Sequence, residues 1–178
     1  MLNVRLRSIR LAFKTFPERR TWRGCLGLFG VYALCALLIG WATGFCRLEL
    51  MKASAWVIAS TPVVLLVTPS LVEEVLYRAV LLPHPVEAAS PRTKLVWSSV
   101  SLVAFVASHP VNGLVSRRAV FLDPVFLVLA TLLGIVCTLT YLRSGSIWVP
   151  MLFHWLTGVV WIMFLGGWQK LMIPGVWE

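Results

Sequence analysis

Long apolar runs separated by short polar clusters organise this chain. The runs lie at about Gly24 to Phe45, Trp56 to Leu82, Leu95 to Pro110, Pro124 to Leu142 and Ile147 to Leu165. A helix needs roughly 20 apolar residues to cross the hydrocarbon core of a bilayer, so the pattern predicts about five transmembrane helices. Between them, Cys46 to Ser54, Val86 to Lys94 and Val111 to Asp123 read as connectors, and Arg143-Ser144-Gly145-Ser146 as a tight turn. Pro83-His84-Pro85 ends the second run, which Pro62 and Pro69 interrupt. A helix broken at Pro69 would aim its next turn into protein interior or a wet cavity. The predicted fold is therefore all-α, a polytopic membrane helix bundle without internal repeats. Residues 24–168 form one transmembrane domain, preceded by a basic arm over 1–23 and followed by a short tail over 169–178.

The arm interleaves Leu2, Val4, Leu6, Ile9, Leu11, Phe13 and Phe16 with basic residues. That spacing suits an amphipathic helix on the bilayer surface up to Pro17, and it equally suits a partly ordered tail. With 59% hydrophobic and 13% charged residues among 178, the chain falls outside the range of soluble domains. Its formal net charge of +9 is concentrated in Arg5, Arg7, Arg10, Lys14, Arg19, Arg20 and Arg23, next to the first span. Such a cluster marks the cytoplasmic side and touches anionic lipid; no aromatic-interleaved motif accompanies it, so no nucleic-acid partner is expected. The same rule puts Arg92, Lys94 and Arg143 in the cytoplasm, and Arg47, Lys52, Arg117, Arg118 and the C-terminus outside. The first run is too long for a cleavable signal. Cys25, Cys35, Cys46 and Cys137 lack the close spacing of zinc or disulfide frameworks. Gly40 and Gly44 form a GxxxG spacing that apolar segments also carry by chance, and no dimer seam is assigned to it.

Ionisable residues change the picture. At bilayer depth each costs roughly 2.5–3.5 kcal/mol even on lenient insertion scales, so they persist there for pairing, transport or chemistry. Glu73, Glu74 and Arg78 fall in the second run, His109 in the third and His154 in the fifth. Glu74 and Arg78 stand at i, i+4, the order that favours an ion pair, while Glu73 points about 100° away. A lone buried histidine is usually a hydrogen-bonding strut. Two histidines and a carboxylate pair on three spans repeat the burial cost, and a shared cavity explains the repetition. There, a carboxylate and imidazoles can deprotonate a water and stabilise the oxyanion formed when it attacks a carbonyl. Depth strains this convergence: at 1.5 Å per residue His154 lies about 10 Å into its span, Glu73 about 13 Å and His109 about 20 Å. Span three is therefore expected to begin late or tilt, with Val86 to about Trp97 partly along the interface.

These residues carry a resemblance. Glu73-Glu74-Val75-Leu76-Tyr77-Arg78 resembles the EExxxR motif of the CPBP family, the CAAX-protease and bacteriocin-processing group also called ABI proteins. Phe105-Val106-Ala107-Ser108-His109 is similar to its FxxxH motif, and His154 to the histidine of its third, HxxxN or HxxxD. The flanks Leu81-Leu82-Pro83-His84-Pro85 and Gly145-Ser146-Ile147-Trp148 also look like those of bacterial members, and the likeness runs from about Thr68 to Trp161.

The resemblance implies an intramembrane endopeptidase of a bacterial inner membrane, acting on a peptide or membrane protein. Glu73 would activate the water with His109 beside it, Glu74 would support the site and pair with Arg78, and His154 would bind the oxyanion or a metal. The family has been described both as metalloproteases and as metal-free glutamate proteases. Glu73, His109 and His154 suit zinc and equally suit a glutamate-activated water, and no cofactor is assigned. The chain departs from the pattern at Gly158, where the third motif has Asn or Asp. Thr157 or Asn112 would have to supply the missing hydrogen bond; otherwise the site has lost a donor whose removal costs on the order of 10²–10³ in rate. A weakened enzyme or an inactive scaffold or immunity protein on the same fold is the competing reading. A proton-coupled transporter is a third, opposed by the short chain and the lack of inverted repeats.

Overall fold

Proline, glycine and capping side chains decide where the helices start and stop. The computed structural model describes residues 2–171. Its helices are α1 (Leu2–Lys14), α2 (Arg19–Ala42), α3 (Ala55–Leu65), the single turn α4 (Val72–Glu74), α5 (Pro91–Ser116), α6 (Pro124–Ser144), α7 (Trp148–Phe164) and the short α8 (Gly167–Leu171). Wide, π-type turns over Leu66–Leu71 and Val75–Val80 flank α4. Both α5 and α6 open on proline, where no N–H needs a partner. The Ser90 hydroxyl accepts from Thr93 N at 3.1 Å to cap α5, and Asp123 Oδ1 accepts from Val125 N at 2.7 Å to cap α6. Gly145, at φ +65°, closes α6 by donating to Tyr141 O at 2.8 Å.

Four of these helical stretches are long and apolar enough to cross a membrane: Arg19–Ala42, Ala55–Glu87, Pro91–Ser116 and Pro124–Ser144. The expected fifth is an apolar helix of 17 residues, α7, about 25 Å long. Three expected boundaries move. α2 begins at Arg19, so the last basic residues of the arm form the first turn of a span. α5 begins at Pro91, so helix already runs through most of the stretch expected along the interface. It also continues through Pro110 to Ser116, removing half of the expected connector. Residues 172–178 of the tail lie outside the described residues.

The arm is a helix, docked on the bundle. Ala12 is wholly buried with Ala79, Leu82, Tyr141 and Ile147. Ile147 N donates to Ala12 O at 3.0 Å, Trp148 Nε1 donates to Phe13 O at 2.9 Å, and the Ser8 hydroxyl donates to the Glu87 carboxylate. α1, the turn at His84 to Glu87 and the turn at Gly145 to Ile147 therefore gather at one end. At the other end Glu49 pairs with Leu165, and Trp168 Nε1 donates to Lys52 O at 3.1 Å. Gly40 serves a contact within the chain, since a Cβ there would come within 2.5 Å of Cys46 Sγ.

The main core joins α2, α6 and α7 through Cys25, Tyr32, Leu133, Val136, Cys137, Val149 and Phe153. α5 comes close to α6 because of Gly134, where a Cβ would lie 2.8 Å from Leu102 Cδ1 and 2.9 Å from Phe105 Cδ1. Gly134→Ala should consequently cost about 1–3 kcal/mol, the usual penalty of overpacking a tight contact. Denaturant titration in detergent micelles measures it, and an unchanged midpoint would show that α5 yields freely.

Candidate active site

Thr68 leaves helical geometry (φ −132°, ψ 115°) just before Pro69, and the chain resumes as helix through α4. This break sets the two glutamates apart from the line of α3. Wide turns interrupt the helical ladder and recur at functional sites, and here they lie on both sides of Glu73-Glu74.

Glu74 and Arg78 have no exposed surface. Arg78 Nε lies 3.2 Å from Glu74 Oε2, in ionic contact though not aligned as a hydrogen bond. Arg78 Nη2 donates to Gly134 O at 3.1 Å, and the guanidinium carbon stands 4.5 Å from the centre of the Phe105 ring. His154 Nδ1 donates to the other oxygen, Glu74 Oε1, at 2.9 Å, because a carboxylate only accepts. Glu74 is thus held from both sides, and His154 is fixed with Nε2 turned toward Glu73.

Glu73 is held differently. Its Oε2 lies 3.9 Å from His154 Nε2, beyond direct hydrogen bonding, and has no hydrogen-bond partner among the described residues. Its side chain remains 24% exposed, toward a cavity of about 810 Å³. His109 lines the same cavity and donates from Nδ1 to Phe105 O at 2.8 Å, leaving Nε2 as the acceptor. Phe105 separates the imidazoles; its ring centre lies 4.9 Å from that of His109 and 5.9 Å from that of His154. Counting charges, two carboxylates face one guanidinium, so a single proton held between Glu73 and His154 makes the buried group neutral.

Asn112 and Thr157 also line the cavity, Asn112 because α5 continues past Pro110 and carries it one turn beyond His109. Thr157 Oγ1 donates to Phe153 O at 2.8 Å. Gly158 faces open space, with nothing within 4 Å of where its Cβ would be. The structure thus brings Glu73, His109, Asn112 and His154 to one cavity and puts Glu74 and Arg78 behind it. No group of three His, Cys, Asp or Glu is close enough to hold a metal ion among the described residues. Glu73, His109 and His154 are residue types that bind zinc, and no step below passes through a metal.

Three contributors were not singled out from sequence. The Gly134 carbonyl receives Arg78, and backbone groups carry no sequence mark. Phe105 appeared only as a motif letter, although it spaces the imidazoles. Arg118, read only as a loop charge, lines the cavity. No curated protein and no solved structure matches the chain. A family model does, over residues 54–160, a stretch that holds Glu73, Glu74, Arg78, His109, His154 and Gly158. The chain therefore belongs to the type II CAAX prenyl endopeptidase Rce1-like family, a family of membrane endopeptidases.

Proposed function

We propose that this protein is an intramembrane endopeptidase that uses a glutamate-activated water. The observation that carries the reading is the gap between Glu73 Oε2 and His154 Nε2, 3.9 Å wide, opening on a cavity inside a helical bundle. A water within hydrogen-bond reach of both atoms fits that spacing. Glu73 takes a proton from this water while its oxygen attacks the peptide carbonyl carbon. His109 Nε2 accepts a hydrogen bond from the water and orients it. His154, carrying protons on both nitrogens, donates from Nε2 to the oxyanion, and Glu74 holds its ring. When the C–N bond breaks, the proton on Glu73 passes to the leaving nitrogen, giving a free acid and a free amine.

The family name speaks of prenyl CAAX substrates; for this chain the mostly apolar cavity supports a peptide or membrane-protein segment that enters from lipid. We place the N-terminal end, with α1 and the turns that hold it, in the cytoplasm of a bacterial inner-membrane protein, on the strength of the basic cluster. The test is mass-spectrometric analysis of a panel of apolar and prenylated peptides, incubated with the protein in liposomes with and without a chelator. Cleavage that survives chelation is expected. No cleavage of any peptide would instead favour an inactive scaffold on this fold, the reading that Gly158 favours.

Gly158 gives a separate prediction. With no side chain at the third-motif position, Asn112 is the amide that lines the cavity in its place. Asn112→Ala should lower turnover by about 10²-fold, the range for one lost oxyanion donor. Gly158→Asn has room for its side chain and should recover much of the loss in the same chain. Equal turnover in wild type and Asn112→Ala would remove the amide from the reaction.

A further inference from the structure

We infer that the end of the bundle opposite α1 carries a binding site for one phospholipid headgroup, of the kind that joins a phosphate to a primary ammonium. The inference goes beyond the proteolytic reading and does not rest on it. Arg47, Glu49, Gln169 and Lys170 share a pocket of about 200 Å³ with Phe45 and Leu165. The backbone puts them there. After α2 the chain runs extended along the end of α7, with Arg47 N, Glu49 N and Met51 N donating to Leu165 O, Phe164 O and Met163 O at 3.4, 3.1 and 2.9 Å. Side chains alternate along an extended segment, so Arg47 and Glu49 turn to the pocket while Leu48 and Leu50 face outward and are exposed. Gly166, at φ +78°, turns the chain from α7 into α8, and a Cβ there would lie 3.4 Å from Glu49 Oε2. Glycine leaves that side of the carboxylate open.

The charges are arranged for a ligand rather than for one another. Two cations and one carboxylate line the pocket, yet none of them forms an ion pair among the described residues. Lys170 Nζ stands instead 5.0 Å from the centre of the Phe45 ring. Gln169 Nε2 donates to Leu50 O at 3.1 Å, and its Oε1 is buried with no hydrogen-bond partner among the described residues. Buried acceptors normally have donors. A primary ammonium has three N–H groups, enough for Glu49 and Gln169 together, while Arg47 and Lys170 match a phosphate. A trimethylated ammonium has no N–H to give. Position selects a lipid over a soluble zwitterion, because the pocket lies just past the ends of α2 and α7, where Trp41 and Trp56 are exposed. Tryptophans gather at the depth of the headgroups, and from there Leu48 and Leu50 reach the acyl chains.

Native mass spectrometry of the full chain, released from detergent micelles, counts the bound lipid. The protein is titrated with phosphatidylethanolamine, phosphatidylcholine and phosphatidylglycerol of identical acyl chains, and the ethanolamine lipid is then challenged with soluble phosphoethanolamine. One ethanolamine lipid should bind roughly tenfold more tightly than either of the others, the scale of a hydrogen bond to a charged group. Glu49→Gln should remove most of this preference, and Arg47→Gln/Lys170→Gln should weaken all three lipids. Lys52→Gln, which removes an exposed cation of the same linker outside the pocket, should keep it. The comparison of three lipids on the wild type needs no variant, so a variant that fails to fold leaves the test intact. Equal binding of the three lipids, a preference undiminished in Glu49→Gln, or displacement by an equal concentration of soluble phosphoethanolamine would overturn the headgroup site.

Discussion

Glu73→Gln protein in liposomes should cleave peptides at least about 10³-fold more slowly than wild type while unfolding at the same or a higher denaturant concentration. The rate falls because an amide cannot take the proton from water, and a positioned general base contributes roughly 10²–10⁴. Stability does not fall because no protein group depends on the Glu73 charge in the way that Glu74 is depended on. Its Oε2 has no hydrogen-bond partner among the described residues, and its nearest cation candidate, His154 Nε2, is 3.9 Å away. Glutamine keeps the shape and removes a negative charge from an apolar surrounding, which relieves rather than strains the bundle. Single-turnover cleavage followed by mass spectrometry, together with denaturant titration of the same preparation, measures both halves. Turnover equal to wild type would remove Glu73 as the base and, with it, the water-activation scheme. A rate loss accompanied by a large fall in stability would make Glu73 a strut.

Glu73 and Glu74 also show how far the sequence could be read. Their neighbour relation with Arg78 is local, fixed by helical geometry at i, i+4, and it survives in the structure as the 3.2 Å contact. The meeting of His154 with them is not local, yet the repeated cost of ionisable groups in apolar runs pointed to it. What the pattern concealed was set by backbone and by cavity shape. Pro110 looked like the end of span three, but an interior proline removes only one N–H, and the helix goes on until Arg117 turns left-handed. That extension is what carries Asn112 to the cavity. The Gly134 carbonyl could not be read because any residue supplies a carbonyl; glycine matters there only because it lets α5 come close enough for Phe105 to cover Arg78. α7 has 17 residues because Ile147 and Leu165, at the two ends of the apolar run, are taken up in contacts with Ala12 O and Glu49 instead.

Arg78→Met should be the most destabilising single change in the molecule that leaves the motif glutamates in place, by about 3–5 kcal/mol, the range for breaking a buried ion pair from one side. Arg78 is fully buried, and its removal deletes the ionic contact to Glu74, the donor to Gly134 O and the cation over Phe105. Glu74 then has His154 Nδ1 and the weak thiol donor of Cys137 to answer a fully desolvated charge. To stay ionised it must hold His154 as its counterion, which draws away the proton that the cavity side uses; cleavage should therefore fall along with stability. The second substitution separates the two effects. In Glu74→Gln/Arg78→Met no buried charge is left unbalanced in the pair, and since apolar replacement of a buried ion pair is often neutral, most of the stability should return. Cleavage should not return, because a glutamine no longer balances a doubly protonated His154. Denaturant midpoints of the two single variants and the double variant give the coupling between the residues. Additive losses would mean that Glu74 and Arg78 act independently and that the ion pair is not what orders the site.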